Sequence, residues 1–258
     1  MTSVDYCPVT EKVGDWVTPE AAAMFYTRYR YAAGFCREKR IFEVAAGEGI
    51  GLRYLAGYAK HTVGADVTAA LLVRARHMSP VMFPLLRVNG EALPLSSGSR
   101  DVIICYEAIY YLANPLRFVQ ECRRVLAPGG VLLLCMPNPN QIDFNPSQQS
   151  RAYYSAEQLQ RLLAGAGFEA DLYGAFPMES RSLWAACLSC IKRVAVACNL
   201  MPRTMAGKRW LKRLVFGKLV RVPSTVADGM AAYCQPVPIF SDRQSARYKI
   251  LFAVGRSS

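Results

Sequence analysis

The chain has 258 residues, of which 52% are hydrophobic, and it carries a formal net charge of +12. That length allows one full α/β domain with an insertion, whereas two complete domains would be crowded. Asp5, Glu11 and Asp15 interrupt the first residues and argue against a secretory signal, and no uncharged apolar run is long enough to span a bilayer. We therefore expect a cytosolic protein.

The positive charge is concentrated in the last third of the chain. Residues 1–180 contain 17 basic and 17 acidic residues, whereas residues 181–258 contain 14 basic residues and 2 acidic ones. Ten of those basic residues fall between Arg181 and Arg221, where no acid occurs. Such an asymmetry indicates a separate functional element.

Nine cysteines without a secretory signal predict reduced thiols that act mostly as small buried apolar residues. Cys187 and Cys190 form a C-x-x-C pair, but there is no second pair and no nearby histidine, so we expect no metal site. The only histidines are His61 and His77. Their positions, at the start of a predicted strand and at the end of a predicted helix, do not suit a general base.

In chain order, a helical segment from Pro19 to Phe35 comes first, and we expect it to pack over the loop described below. Apolar runs then predict five strands, at Ile41–Ala45, Thr62–Ala65, Leu85–Val88, Val102–Cys105 and Val131–Met136. Helices are predicted between them, at Gly51–Ala59, Ala69–Met78 and Leu116–Leu126. Apolar strands that alternate with amphipathic helices are typical of a parallel sheet covered on both faces.

A glycine-rich loop follows the first of these strands. The run IFEVAAGEGIG places Glu43 in the strand, Gly47, Gly49 and Gly51 in the turn, and a helix directly afterwards. The next strand ends in Asp66. A strand that leads into a glycine loop and a helix, with an acid closing the next strand, is typical of a site for an adenosine-containing cofactor.

Two features favour a cationic cofactor over a dinucleotide. The glycine spacing is G-x-G-x-G, whereas dinucleotide sites favour G-x-G-x-x-G. Glu43 and Glu48 would also oppose a pyrophosphate, which a helix N-terminus normally binds through bare amides. A sulfonium that carries an ammonium group would tolerate both carboxylates. The residues therefore favour S-adenosylmethionine over NAD.

The second half predicts two more strands separated by an insertion. Residues 127–130, Ala-Pro-Gly-Gly, predict a turn before the fifth strand, and Ser155 is expected to cap a helix at Ala156–Ala164. Strands follow at Phe168–Tyr173 and Tyr248–Gly255. Between them, the insertion contains an apolar stripe from Leu183 to Cys198. Its second helix, Lys208–Val215, carries one face formed by Lys208, Arg209, Lys212 and Arg213.

The motifs of residues 39–173, together with the last strand, resemble those of class I S-adenosylmethionine-dependent methyltransferases. IFEVAAGEG and VGADVT are similar to the first two motifs of that family, and VNGEALPL to its adenine-binding segment. DVIICYEAIYYL and RRVLAPGGVLLL resemble the fourth and fifth strands with their flanks, and RYKILFAVGR resembles the reversed seventh strand. RYRYAAGF and the basic insertion look like members associated with glycan or secondary-metabolite assembly.

The resemblance implies a Rossmann-like, seven-stranded, mostly parallel, doubly wound sheet with a reversed last strand and a helical basic insertion between strands six and seven. It divides the chain into four parts. These are an N-terminal helical cap (1–38), the cofactor-binding core (39–174), the insertion (175–247) and the last core strand (248–258).

The resemblance also implies roles for individual residues. Gly47 and Gly49 would face the methionine and ribose portions of the cofactor, Glu43 would orient its ammonium group, and Asp66 would hold the ribose diol. Asn89, where the family often has aspartate, would meet the adenine amino group, and the Gly90 amide would meet a ring nitrogen. The full predicted cofactor set is Glu43, Ala45, Gly47, Gly49, Asp66, Val67, Asn89, Gly90, Glu91 and Tyr106.

The acceptor should lie beyond the carboxyl ends of strands four and five, where open α/β sheets bind ligands. Candidates there are Tyr106, Glu107, Tyr110, Tyr111, Asn138, Asn140 and Asp143. Asp143 is the first choice for a general base, with a capping or turn role as its alternative. Tyr110 and Tyr111 are the other catalytic candidates, and each could equally form a wall of the acceptor pocket.

We therefore predict methyl transfer to a small-molecule acceptor, with oxygen of a sugar, glycolipid or secondary metabolite as the target. The alternatives are a non-catalytic cofactor-binding module that docks a partner, an RNA methyltransferase, and a nicotinamide oxidoreductase. Three interpretations of the basic insertion stay open: a solvated cap, a surface for an anionic or lipid-linked acceptor or an acidic membrane face, and an RNA-binding surface. The oligomeric state stays undetermined.

Overall fold

The structure is a computed structural model that describes residues 5–78, 83–141, 144–178 and 219–257. Its strands are β1 (Trp16–Val17), β2 (Arg40–Val44), β3 (His61–Asp66), β4 (Leu85–Arg87), β5 (Arg100–Tyr106), β6 (Leu126–Pro137), β7 (Phe168–Pro177), β8 (Val220–Arg221), β9 (Val237–Pro238) and β10 (Tyr248–Ser257). Its helices are α1 (Pro19–Cys36), α2 (Ile50–Ala56), α3 (Ala69–His77), α4 (Pro115–Val125), α5 (Ala156–Ala164) and α6 (Asp242–Ser245), with a 3₁₀ turn at Ile109–Tyr111.

The main sheet has the strand order β4-β3-β2-β5-β6-β10-β7-β9. Strands β2 to β6 are mutually parallel, and β10 runs antiparallel to both β6 and β7. The mostly parallel sheet and its reversed last strand are therefore confirmed. The prediction of seven strands was wrong by one, because the two-residue β9 adds to the edge at β7.

Alternate residues of the central strands face opposite layers. Phe42 and Ile103 belong to one hydrophobic cluster, whereas their neighbours Ile41 and Ile104 belong to the other. Helices α4 and α5 cover the first face, and α1 and α2 cover the second. A parallel sheet requires this two-sided burial, which explains why its strands are almost continuously apolar.

Several boundaries differ from the predictions, and β7 extends four residues beyond its predicted end, to Pro177. Helix α2 ends at Ala56, three residues earlier than expected, because Gly57 follows as its cap. The predicted turn at residues 127–130 lies inside β6, where pairing with β5 jumps from Leu126 to Val131. Those residues therefore form a bulge, with Gly129 in the left-handed region at φ 71°. Ser155 caps α5 as predicted, and Gln158 completes a capping box with it.

The N-terminal segment pairs with the chain that follows the insertion. Strands β1 and β8 form a separate two-stranded antiparallel sheet. The Gly14 amide also donates to the Val222 carbonyl at 2.9 Å, and the Val222 amide donates to the Asp15 carbonyl at 2.9 Å. Two segments that are about 200 residues apart in sequence are thereby brought to the same end of the main sheet.

The helices predicted within the insertion, including the basic face at Lys208–Arg213 and the Cys187–Cys190 pair, lie outside the described residues. The proposed four-part division of the chain stays a prediction. Within the described ranges, none of the helices has the length and apolar character needed to cross a membrane. The six cysteines found there are free thiols, four of which are buried.

Candidate active site

A cavity of about 730 Å³ opens beyond the carboxyl ends of the parallel strands. The loops after β2, β3, β4 and β5 form its floor and sides, and α1 and residues 6–11 cover it. Ligands of open α/β sheets bind at this edge, at the point where the strand order reverses. The volume falls within the range of about 300–1,000 Å³ that is typical of small-molecule pockets.

The loop after β2 turns sharply through three residues in the left-handed region. Ala45, Gly47 and Gly49 have φ values of 59°, 56° and 69°. Ala45 and Gly47 line the cavity. Gly49 does not: it caps α2, and a Cβ on it would meet the Phe83 ring at 3.6 Å. Gly49 therefore acts in the turn, and its predicted contact with the cofactor stays a prediction.

Asp66, at the end of β3, lines the cavity and also fixes the loop. Its Oδ2 accepts a hydrogen bond from the Gly47 amide at 3.0 Å, and its Oδ1 accepts one from the Thr68 amide at 2.8 Å. Burial raises the pKa of this carboxyl, and the two amides oppose the rise. A carboxylate oxygen can accept more than one hydrogen bond, so Asp66 can still receive hydroxyl donors from a ligand.

Glu43 lies behind the cavity wall, under α1. It is 1% exposed, and its Oε1 accepts a hydrogen bond from the Tyr29 hydroxyl at 2.9 Å. Its Oε2 is buried and has no hydrogen-bond partner among the described residues. Burial raises the pKa of Glu43 to about 8. Glu43 is not among the residues that line the cavity, so its predicted role with an ammonium group stays a prediction.

Val67, Asn89, Gly90 and Glu91 line another part of the cavity. The Asn89 Oδ1 accepts a hydrogen bond from the Glu91 amide at 3.0 Å, which leaves it one lone pair for a ligand. Glu91 accepts hydrogen bonds from the amides of Ala113 and Asn114, both at 2.9 Å. Both amides donate to Oε1, so Glu91 ties the loop after β4 to the segment before α4 through that one oxygen.

A charged cluster borders the cavity beyond β5. Arg28 is 6% exposed and donates to both carboxylate oxygens of Glu11, at 3.1 and 3.0 Å. Its Nη1 also lies 3.4 Å from the Glu107 Oε1. The Tyr110 hydroxyl donates to the Glu107 Oε2 at 3.0 Å. All four residues line the cavity, so the cluster places the Glu107 carboxylate, in contact with Arg28 and Tyr110, at the cavity wall.

Comparisons with known proteins identify this arrangement. A family model described as a methyltransferase domain matches residues 42–134. A probable S-adenosylmethionine-dependent methyltransferase of Mycolicibacterium smegmatis is 34% identical over 155 residues, which cover 57% of this chain and 59% of that protein. The structure of an S-adenosylmethionine-dependent methyltransferase from Thermotoga maritima superimposes with a TM-score of 0.61 and 15% identity, covering 92% of this chain and 90% of that one.

Residues 42–134 therefore belong to the methyltransferase domain family, and the chain has the fold of an S-adenosylmethionine-dependent methyltransferase.

Two other relatives carry more specific names. A ubiquinone biosynthesis O-methyltransferase of Cereibacter sphaeroides is 26% identical over 152 residues, covering 58% of this chain and 59% of that protein. A phthiotriol/phenolphthiotriol dimycocerosates methyltransferase of Mycobacterium leprae is 33% identical over 147 residues, covering 52% and 54% respectively. The chain thus spans little more than half the length of these curated relatives.

The residues present fit S-adenosylmethionine, the cofactor of the methyltransferase family. A Cβ on Gly47 would meet the Thr10 Cγ2, which lines the cavity, at 3.1 Å, so this glycine keeps space between the loop and the N-terminal segment. A Cβ on Gly90 would meet the buried Phe118 ring at 3.2 Å, so a glycine lets the backbone pack close to the core there. Asp66 can accept hydroxyl donors, and the carboxylates around the loop suit a cation better than a pyrophosphate. No group of three or more metal-ligating side chains occurs in the part of the chain that the structure describes.

The structure also shows the surroundings of four other predicted residues. Tyr106 lines the cavity, but its hydroxyl is buried with no hydrogen-bond partner among the described residues, and its ring packs on Tyr29 and Phe252. Tyr110 and Tyr111 both line the cavity, as the wall hypothesis requires. Asn138 is fully buried and donates to the Ser245 and Tyr248 carbonyls, so its role is structural.

Asp143, the first choice for a general base, lies outside the described residues, and so its role stays a prediction. Asn140 is not among the residues that line the cavity; its amide donates to the Asn138 Oδ1 at 3.0 Å. Of the candidates after β5 and β6, Glu107 is therefore the described carboxylate that reaches the cavity.

Sequence reasoning missed the N-terminal segment as part of the methyltransferase site. Tyr6, Thr10 and Glu11 line the cavity, and the segment is held by the Val13 amide, which donates to the Glu48 Oε2 at 2.9 Å. Arg28 was missed as well. The available signal was the run MFYTRYRYAA, in which Arg28 and Arg30 stand among mostly apolar residues, because a buried guanidinium needs carboxylate partners.

Proposed function

We propose that this chain transfers the methyl group of S-adenosylmethionine to oxygen of a small-molecule acceptor, such as a hydroxyl of a sugar, a glycolipid or a secondary metabolite. One observation carries the proposal. A single cavity joins the glycine loop and Asp66 to the Glu107–Tyr110 pair, so that both reactants could share one enclosed space.

Enclosure matters for this chemistry because methyl transfer needs alignment of the reactants and exclusion of water. When bound, the cofactor supplies a methyl group on a positively charged sulfur. The chain's own residues do the rest: Ala45 and Gly47 shape the wall beside the loop, and Asp66 accepts hydroxyl donors. The N-terminal segment contributes Tyr6 and Thr10 to the wall of the cavity, where they reduce its access to solvent.

The acceptor end supports an oxygen nucleophile. A hydroxyl must lose its proton during the reaction, and Glu107 offers a carboxylate at the wall for that purpose. The names of two relatives agree with this choice, since one is an O-methyltransferase of ubiquinone biosynthesis and the other a methyltransferase of phthiotriol lipids. Those names also support a lipid-linked acceptor.

An anionic acceptor or a peripheral contact with an acidic membrane surface would depend on the basic residues between Arg181 and Arg221, and it is proposed here from charge alone. Lys249 and Arg151 provide some positive charge at the cavity itself. A protein that binds the cofactor yet methylates nothing would instead act as a docking module, and turnover separates the two.

The test is transfer of label from S-adenosyl-[methyl-³H]methionine to three acceptor pools: 4-nitrocatechol, octyl glucoside and a chloroform–methanol extract of bacterial lipids. The proposal expects label in at least one organic product, in a form stable to mild alkali. An O-methyl ether survives that treatment, whereas a methyl ester does not. Alkali-labile label, or no transfer to any pool despite cofactor binding, would contradict methylation of a hydroxyl.

A further inference from the structure

Glu107 has an unusual backbone conformation at the point where the chain leaves β5. Its φ of 54° lies in the left-handed region, which residues with a Cβ seldom adopt. The conformation is held by its amide, which donates to the Cys135 carbonyl of the neighbouring strand at 2.8 Å. Strained residues of this kind concentrate at functional sites, where the surrounding structure imposes the geometry.

Two neighbours hold the carboxylate of Glu107, which can still accept further hydrogen bonds. Oε2 receives the Tyr110 hydroxyl, and Oε1 faces the Arg28 guanidinium. Each carboxylate oxygen has a second lone pair. The side chain is 27% exposed and lines the cavity, so a bound hydroxyl could reach it.

Arg28 is oriented by a different residue. Its bidentate pair with Glu11 uses Nη2, which leaves Nη1 directed at Glu107. Burial alone would lower the pKa of Arg28, but Glu11 and Glu107 raise it above its usual value, so the guanidinium stays charged. Arg28 therefore acts on Glu107 from a fixed position.

Two opposing effects of the surroundings determine the proton affinity of the Glu107 carboxylate. Burial raises the pKa of Glu107 above its ordinary value, and Arg28 and the Tyr110 hydroxyl oppose the rise. The best general base has a pKa near the operating pH, where it is both ionised and able to take a proton. The titratable and charged groups that face it are Arg28 on α1, Glu11 in the N-terminal segment, Tyr110 in the 3₁₀ turn and Cys135 on β6.

We propose that Glu107 is the catalytic residue that accepts the proton of the acceptor hydroxyl, with Arg28 and Tyr110 as its positioning residues. This role rests on the proposed function. The acceptor oxygen forms a bond to the methyl carbon, and the sulfur–methyl bond breaks with its electron pair remaining on sulfur. The hydroxyl proton passes to Glu107 and leaves to water through the exposed edge of that side chain.

The decisive variant is Glu107→Gln, which keeps the size of the side chain and removes the basic oxygen. With the acceptor pool that the wild type methylates best, kcat should fall by about 10²–10⁴-fold. The dissociation constant for S-adenosylhomocysteine, measured by calorimetry, should stay within about threefold of wild type. Glu169→Gln is the matched control, because it makes the same chemical change at an exposed glutamate of β7 that does not line the cavity, and it should keep both kcat and the acidic limb of the pH profile.

A second readout needs no turnover. In the cofactor-free protein, the infrared difference between wild type and Glu107→Gln isolates the carboxyl band of Glu107, which should titrate above the ordinary glutamate range. Tyr110→Phe removes a hydrogen bond that lowers the pKa of Glu107, so the midpoint should move to higher pH. Because the base must be ionised, the acidic limb of kcat should move to higher pH with it.

The outcomes are separable. A wild type that methylates none of the three pools overturns the proposed function and this role with it. A wild type that turns over while Glu107→Gln retains its kcat to within about threefold overturns only the role of Glu107. If Tyr110→Phe moves the infrared midpoint but leaves the acidic limb of kcat unchanged, the role of Glu107 as the base is also overturned. Loss of turnover with intact cofactor binding, together with matching shifts, is the expected result.

Discussion

The close contact between Gly51 and Tyr29 gives a sharp test of how α1 is seated on the cofactor loop. A Cβ at Gly51 would lie 1.9 Å from the Tyr29 ring, far inside van der Waals contact. The ring cannot easily retreat, because it packs against Phe25 and Tyr106 and its hydroxyl holds Glu43. Gly51→Ala should therefore destabilise the protein.

The magnitude follows from competing effects. Overpacking a filled site costs about 1–3 kcal/mol. If Tyr29 moves instead, Glu43 loses its hydrogen bond, and a buried group left unsatisfied costs about 1–3 kcal/mol. Replacing glycine by alanine in a helix returns up to about 1 kcal/mol. We expect a net loss of about 2 kcal/mol, which for a protein of this size lowers Tm by about 4–8 °C.

The assay is thermal unfolding followed by circular dichroism, with Gly34→Ala as the matched control. Gly34 also lies in a helix, but a Cβ there would meet nothing within 4 Å, so this variant should be neutral or slightly stabilised. In a Tyr29→Ala background, Gly51→Ala should lower the free energy of unfolding only slightly, because the ring that the new Cβ would meet is absent. A Gly51→Ala protein as stable as Gly34→Ala would refute the reasoning.

Two further predictions concern buried and exposed carboxylates. The pKa of Glu43 is about 8 in the folded protein and lower in the unfolded chain. At pH values between the two, the native protein therefore binds one more proton than the unfolded chain. Stability should then fall as pH rises from about 5 to 8, by up to about 1.4 kcal/mol per pH unit, and Glu43→Gln should flatten that slope in urea titrations. Tyr54→Phe removes a 2.6 Å hydrogen bond to Asp228, whose side chain is 63% exposed. It should cost only about 0.5 kcal/mol, and its measured stability loss should shrink in acid as Asp228 is protonated.

Local patterns were enough to predict most of the fold. The strands from Ile41 to Met136 are apolar runs that end at polar or glycine residues, and each of them forms near its predicted position. The glycine loop was recognisable because its backbone requires residues that tolerate positive φ. Family motifs then implied the reversed last strand, which periodicity alone could not show.

The acceptor end could not be predicted in the same way, because its contacts join distant parts of the chain. Glu107 and Arg28 are brought together only when α1 packs across β5, and Glu11 joins them through the N-terminal segment. The β1–β8 pairing depends equally on the fold around it. Side-chain partners also gave Asn138 a role that the sequence did not show, because its amide group donates to the Ser245 and Tyr248 carbonyls.

The account depends on Asp66 and the glycine loop holding S-adenosylmethionine. Calorimetric titration with S-adenosylmethionine, S-adenosylhomocysteine and NADH tests this most directly, on the wild type, Asp66→Ala and the control Asp171→Ala. Asp171 is an exposed acid on β7 that pairs with Arg256 and does not line the cavity.

We expect the wild type and Asp171→Ala to bind S-adenosylmethionine and S-adenosylhomocysteine with equal affinity and to show no binding of NADH. Asp66→Ala should bind them at least about tenfold more weakly, since hydrogen bonds to charged groups contribute about 1.5–3 kcal/mol each. Binding of NADH alone, or unchanged affinity in Asp66→Ala, would contradict the account.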